Sequence, residues 1–253
     1  MNMILSFYDS GKIRAFFIHL GLSASVVGLL ALLMLTMWYP EPWFSHDGGW
    51  HVFWLILLVD VVLGPTMTLV VFRRGKPELR RDLSIVAAIQ IAALAYGAVL
   101  MFLYRPAFIV YAENNFFTVP WTEIRRGTRD IARIEPMAAA RGPAIVMLRL
   151  PADPAEHARV IAQTRKPEGP MLTALGDYFE TMTPQNWEMV LKHSTDIEGQ
   201  AADNPDIRLE LERFRAGNSQ PLATLAFVPA MCRYGLIMLV FDRKTQALVG
   251  WLN

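Results

Sequence analysis

The chain has 253 residues, of which 53% are hydrophobic, and its formal net charge at pH 7 is +1. From Arg105 onward it carries 17 Lys and Arg residues against 17 Asp and Glu residues, so it lacks the basic surface that nucleic-acid binding requires. The single cysteine, Cys232, excludes an intramolecular disulfide and zinc sites built from paired cysteines.

Three segments near the start of the chain are apolar over the length of about 20 residues that crossing a bilayer requires. They cover residues 15–38, 52–72 and 83–103. The first is longer than the apolar core of a signal peptide and no clear cleavage motif follows it, so we expect it to be retained. The sequence therefore predicts a three-span transmembrane region over residues 1–104 and a globular domain over residues 105–253.

The distribution of basic residues predicts how the spans are oriented. The loop between the first and second spans contains no Lys or Arg, whereas the next loop contains five: Arg73, Arg74, Lys76, Arg80 and Arg81. Because basic loops stay in the cytoplasm, we expect a cytoplasmic N-terminus and an exported domain after Tyr104. In a Gram-negative bacterium this means the inner membrane and the periplasm.

The second span contains residues that are costly in a bilayer. A charge at mid-span costs about 2.5–3.5 kcal/mol on insertion scales, so Asp60 is expected to face protein or water. Pro65 lacks an N–H group and frees the carbonyl of Val61, which then needs a donor. Helical rise places Asp60 and Tyr96 of the third span at similar depth, and we expect them to pair.

These polar positions allow two interpretations. In one, they only hold the three spans together. In the other, the small and polar face around Asp60 receives the helix of a partner protein. The intramembrane candidates for partner binding are Asp60, Gly64, Pro65, Gln90, Tyr96 and His19.

The region after Tyr104 shows mixed strand and helix patterns. "AFIVYAENNFFTV" is typical of a β-hairpin, "AIVMLRL" predicts another strand, and three further strands close the chain. Asp153, Thr183 and Asn204 each precede a proline and predict the starts of three helices. We therefore predict an α+β domain with an antiparallel sheet that contains both the first and the last strands.

No catalytic signature is present: the sequence contains no GxSxG, HExxH or phosphate-binding loop motif. His46, Asp47 and His51 form only a weak metal-binding pattern, and the two glycines between them are more simply explained by a turn. We predict no catalytic residue, no cofactor and no metal site.

Several stretches together resemble the type IV pilin accessory proteins, the TfpX/TfpZ group. They are "WYPEPWF", "LVDVVLGPTMTLVVF", "LRRDLSIVAAIQIAALAYG", "RPAFIVY" and, near the end, "FVP", "RYG" and "LVFDRKTQALVGWL". The segment Arg73-Arg74-Gly75 departs from the pattern of that group.

The resemblance implies a non-enzymatic inner-membrane helper that holds or stabilises a type IV pilin before assembly. Its partners would be the pilin, whose apolar helix and globular head it could both contact, and membrane lipid. Two alternatives stay open: a membrane-anchored enzyme that modifies the pilin, such as a glycosyltransferase, and a sensor that binds a ligand in the periplasm.

Overall fold

The computed structural model describes residues 10–73 and 75–253. The first nine residues and Arg74, one of the basic residues of the second loop, lie outside this part. The chain divides into two compact units. We call the first, which runs up to Phe44 and continues over Gly48–Leu103, the membrane unit. The second, formed by Ser45–Asp47 and Tyr104–Asn253, is the sheet unit.

The described part of the membrane unit contains three helical spans that are long and apolar enough to cross a membrane, as predicted: Gly11–Trp38, Gly49–Val71 and Leu79–Tyr104. The helices that build them and the short connection after the first span are α1 (Ser10–Leu33), α2 (Trp43–His46), α3 (Gly49–Leu57), α4 (Gly64–Val71) and α5 (Leu79–Tyr104).

Two of the spans contain a wider, π-helical turn. Met34–Trp38 continues α1, and Leu58–Leu63 joins α3 to α4. In the second of these turns the N–H of Gly64 bonds to the carbonyl of Val59, five residues earlier instead of four. Such turns are rare and often occur at functional sites.

The described part of the sheet unit contains one seven-stranded sheet in the order β4-β3-β1-β2-β5-β6-β7. The strands are β1 (Pro106–Ala112), β2 (Asn115–Pro120), β3 (Ala144–Leu148), β4 (Phe179–Thr181), β5 (Leu225–Cys232), β6 (Gly235–Asp242) and β7 (Leu248–Leu252). The predicted hairpin at the start is confirmed, and Glu113 and Asn114 turn it with φ angles of 49° and 63°. The first and last strands share one sheet, as predicted.

The prediction of an antiparallel sheet is wrong at two pairings, and the sheet is mixed. β1 pairs parallel with β3, and β2 pairs parallel with β5. Parallel neighbours need a long crossover connection, and the residues between Pro120 and Ala144 provide one. Strand patterns alone do not encode the direction of a neighbour that is distant in sequence.

The three predicted helices of this unit are present as α8 (Pro154–Thr164), α9 (Pro184–Lys192) and α11 (Pro205–Gly217). Side-chain oxygens of Asp153, Thr183 and Asn204 accept hydrogen bonds from first-turn N–H groups at 2.8, 3.2 and 2.9 Å. Three helices that we did not predict are α6 (Trp121–Gly127), α7 (Ile131–Ile134) and α10 (Ile197–Asp203).

Candidate functional site: an intramembrane cleft

A cavity of about 170 Å³ lies in the membrane unit, lined by all three spans. Four of its lining residues are polar: His19 and Ser23 from the first span, Asp60 from the second and Gln90 from the third. The apolar lining residues Leu22 and Ile91 are 65% and 68% exposed, so the cavity is a cleft with an accessible apolar rim. We call it the intramembrane cleft.

The π-helical turn decides which carbonyl lacks a partner in the second span. The turn bonds residues five apart, so the N–H that Pro65 lacks would have bonded to the carbonyl of Asp60. Gln90 of α5 donates its Nε2–H to this carbonyl at 3.4 Å, the long end of the hydrogen-bonding range. A side chain from the third span thus supplies a donor to the carbonyl of Asp60, one residue before the Val61 carbonyl that was expected to need one.

Gly64 allows Gln90 to come this close. A β-carbon built on Gly64 would lie 1.7 Å from Nε2 of Gln90, so any larger residue would displace the amide. Gly64, Pro65 and Thr68 are all buried. The small residue and the proline thus form one notch, and the Gln90 side chain fills it.

His19 of the first span contacts the second span at Thr68, one helical turn after Gly64. Its Nδ1 lies 2.6 Å from the hydroxyl oxygen of Thr68, which is buried in α4. This contact joins the first span to the second. The sequence offered a signal for it, because Thr68 lies two turns after Asp60 on one helical face, but it gave no indication of the partner.

The expected pairing of Asp60 with Tyr96 is wrong. The side chain of Tyr96 is 67% exposed, and Oδ2 of Asp60 has no hydrogen-bond partner among the described residues. Helical rise gives the depth of a residue but not the direction in which its side chain points around the helix. Tyr96 follows Gln90 by six residues, which turns it about 120° away around the helix. Tyr96 therefore does not face the cleft.

Two acceptor atoms at the cleft are left without donors. Within the part of the chain that the structure describes, Oδ2 of Asp60 and Oε1 of Gln90 are buried and accept no hydrogen bond. Only 5% of Asp60 and 8% of Gln90 is exposed. Unpartnered buried polar atoms are uncommon in folded proteins because they lose hydration without compensation.

Asp47, which belonged to the weak metal-binding pattern, has a structural role in the sheet unit. Its Oδ1 accepts hydrogen bonds from the hydroxyl of Thr118 in β2 at 2.6 Å and from the N–H of Arg233 at 3.0 Å. Burial raises the pKa of Asp47, and these two hydrogen bonds oppose the shift. Among residues 10–73 and 75–253, no cluster of three His, Cys, Asp or Glu residues is placed to hold a metal ion.

Comparison with known proteins connects this chain to pilus assembly. Residues 10–46 match the family described as "Fimbrial assembly protein FimB". The fimbrial assembly protein of Dichelobacter nodosus serogroups C1 and C2 is 36% identical over 100 residues, which are 39% of this chain and 76% of that protein.

Two further relatives from the same organism are longer. The serogroup I protein is 36% identical over 96 residues, 37% of each chain, and the serogroup E1 protein is 35% identical over 100 residues, 39% of each chain. The match thus spans little more than a third of these two relatives. No solved structure matches. The expected kinship with type IV pilus accessory proteins is confirmed, and the chain belongs to the FimB family of fimbrial assembly proteins.

Proposed function

We propose that this protein is a non-enzymatic assembly factor that binds a type IV pilin and holds its apolar helix in the intramembrane cleft before fibre assembly. The observation that carries the proposal is a cleft with exposed apolar side chains at its rim and polar atoms from three spans inside. The family names of the relatives support a role in assembly.

The chemistry of the cleft suits a helix better than a soluble ligand. Helices in a bilayer gain no hydrophobic energy from meeting each other, so they associate through close packing and hydrogen bonds. Leu22 and Ile91 provide packing surface at the rim, and Ser23 and Ala87 are small lining residues that allow close approach. Asp60 provides a hydrogen-bonding group inside.

We place the protein in the bacterial inner membrane, with the N-terminus in the cytoplasm and the sheet unit in the periplasm. The support is the row of basic residues in the second loop and their absence from the first. A type IV pilin has one apolar helix in the membrane and a globular head outside it. In this orientation the sheet unit lies in the same compartment as that head.

Site-specific photocrosslinking in the native host tests the proposal. A photoreactive residue at Ile91 or Leu22 should capture the pilin, because both side chains line the cleft. Ile89 and Leu29 are the matched controls, since they are about as exposed but do not line it.

Capture of the pilin at Ile91 and Leu22 and not at the two controls would support the proposal. Equal capture at all four positions, or none at any of them, would exclude the cleft as the binding site.

A further inference from the structure

We infer that the intramembrane cleft selects a partner helix that carries a hydrogen-bond donor at the depth of Asp60 and Gln90. This inference rests on the proposed function, because it assumes that a helix occupies the cleft. It adds the chemical feature by which that helix is recognised: an amide, hydroxyl or amine hydrogen within an otherwise apolar segment.

Two oxygen atoms at the cleft lack hydrogen-bond donors. Oε1 of Gln90 is an acceptor whatever the pH, because the amide does not ionise. The Nε2 group of the same side chain is directed to the carbonyl of Asp60, which fixes the orientation of the amide. Oδ2 of Asp60 is a second unpartnered acceptor, and both side chains line the cleft.

Two other polar side chains line the cleft. One is His19, whose Nδ1 contacts the hydroxyl of Thr68, and the other is Ser23. Lipid tails offer no donor at this depth, so an unpartnered acceptor there is costly. A hydrogen-bond donor on a bound helix would remove this cost. A purely apolar helix would leave both acceptors buried without a donor.

The arrangement gives the Gln90 side chain a structural role that the Asp60 side chain does not share. The carbonyl of Asp60 needs the Gln90 amide, so Gln90 cannot become apolar without leaving that carbonyl bare. Asp60 is not subject to this requirement, because its side chain makes no hydrogen bond in the described structure. Its role is therefore better explained by a partner than by packing of the spans.

Synthetic transmembrane peptides provide the test. The full-length protein, with a photoreactive residue at Ile91, is reconstituted in liposomes with Leu/Ala peptides of about 24 residues, long enough to span the bilayer. One peptide carries Asn at its centre and the other carries Leu, which has a similar shape. We expect about threefold more crosslinking of the Asn peptide, the ratio that corresponds to ~0.6 kcal/mol for a hydrogen bond in a membrane.

Two controls distinguish recognition of the Asn at the depth of Asp60 and Gln90 from a general effect of a polar residue in the peptide. Moving the Asn by seven residues, about 10 Å along the helix, should abolish the advantage in the unchanged protein. The double variant Asp60→Leu/Gln90→Leu should crosslink both central peptides equally. The displaced-Asn control does not depend on whether that variant folds.

Equal crosslinking of the central Asn and Leu peptides would overturn the inference. That result would leave the proposed function standing, because capture of the pilin at Ile91 is measured separately. Failure of the photoreactive residue at Ile91 to capture the pilin would overturn both this inference and the proposed function.

Discussion

Gln90 in the third span donates a hydrogen bond to the main-chain carbonyl of Asp60 in the second span. This bond compensates for the N–H that Pro65 lacks, and it links two spans through a side chain that is 92% buried. Because a larger residue at Gly64 would displace the Gln90 amide, the packing of the membrane unit depends on the absence of a side chain at Gly64.

Replacing Gly64 by Ala should destabilise the membrane unit. The new methyl group would lie 1.7 Å from Nε2 of Gln90, so the amide must move and its hydrogen bond must break. The amide is the movable end of a flexible side chain, so the cost is mainly that of the lost hydrogen bond, about 0.6 kcal/mol on average in a membrane. Thermal unfolding in detergent should show a lower midpoint for Gly64→Ala. Gly21→Ala and Gly28→Ala are matched controls with no atom within 4 Å of the added carbon, and a similar loss in them would contradict this explanation.

Replacing Asp60 by Leu should affect the pilin more than the protein itself. The side chain of Asp60 forms no hydrogen bond in the described structure, so its removal breaks none within the unit. Immunoblots should show this protein at a normal level, with less pilin and fewer surface pili. Tyr96→Phe is the control, and it should change stability by less than about 0.5 kcal/mol because Tyr96 is exposed. Loss of the Asp60→Leu protein itself would indicate that Asp60 only packs the spans.

The stability of the sheet unit should depend on pH through Asp47. Burial raises its pKa above the ordinary value of 3.8, so the folded state keeps the proton to higher pH than the unfolded state. The stabilisation is complete below about pH 3.8 and is lost as the pH rises through the folded-state pKa. Asp47→Asn keeps one acceptor oxygen and does not titrate. The difference in melting temperature, variant minus wild type, should therefore rise as the pH increases from 4 to 8.

Asp177 should show the opposite sign. Burial opposes the change, but hydrogen bonds from Asp130 and Arg129 hold its pKa below 3.8. Its contribution is present above that pH and is lost as the pH falls through the folded-state pKa. Asp177→Asn should therefore be less stable than wild type at pH 7 and approach it in acid. A variant whose deficit is the same at pH 2.5 and pH 7 would contradict this assignment.

The proposed orientation predicts the activity of reporter fusions. Alkaline phosphatase, which folds only outside the cytoplasm, should be active when it is fused after Asn253. A fluorescent reporter of cytoplasmic location should be active at the N-terminus. The opposite pattern would place the sheet unit in the cytoplasm, away from a pilin head.

Local patterns in the sequence were sufficient where a feature depends on neighbouring residues. The helix starts at Asp153 and Thr183 were predictable because a capping side chain and a proline act within one turn. The π-helical turn at Asp60 was not predictable, because inserting one residue there does not change the pattern of apolar residues in the sequence. The parallel pairing of β1 with β3 was also not predictable, since it depends on how the chain returns to the sheet after α6 and α7.

The candidate site was predicted in part. Sequence reasoning identified Asp60 and Gly64 from their cost in a bilayer and Gln90 as a polar residue of the third span, and the structure brings these three together. It chose the wrong partner for Asp60 because depth was estimated without the rotation of the helix. It also gave no partner for His19, whose contact with Thr68 joins residues 49 positions apart.

The tripeptide Ser45–Asp47 has a consequence for domain exchange between family members. These residues belong to the sheet unit, where the carbonyl of His46 accepts a hydrogen bond from the N–H of Tyr234. A chimera cut only at Tyr104 would pair one protein's sheet with another protein's tripeptide. Interchangeable parts in this family must therefore be defined by two separate stretches of chain, and a graft that carries both should be the one that keeps its fold.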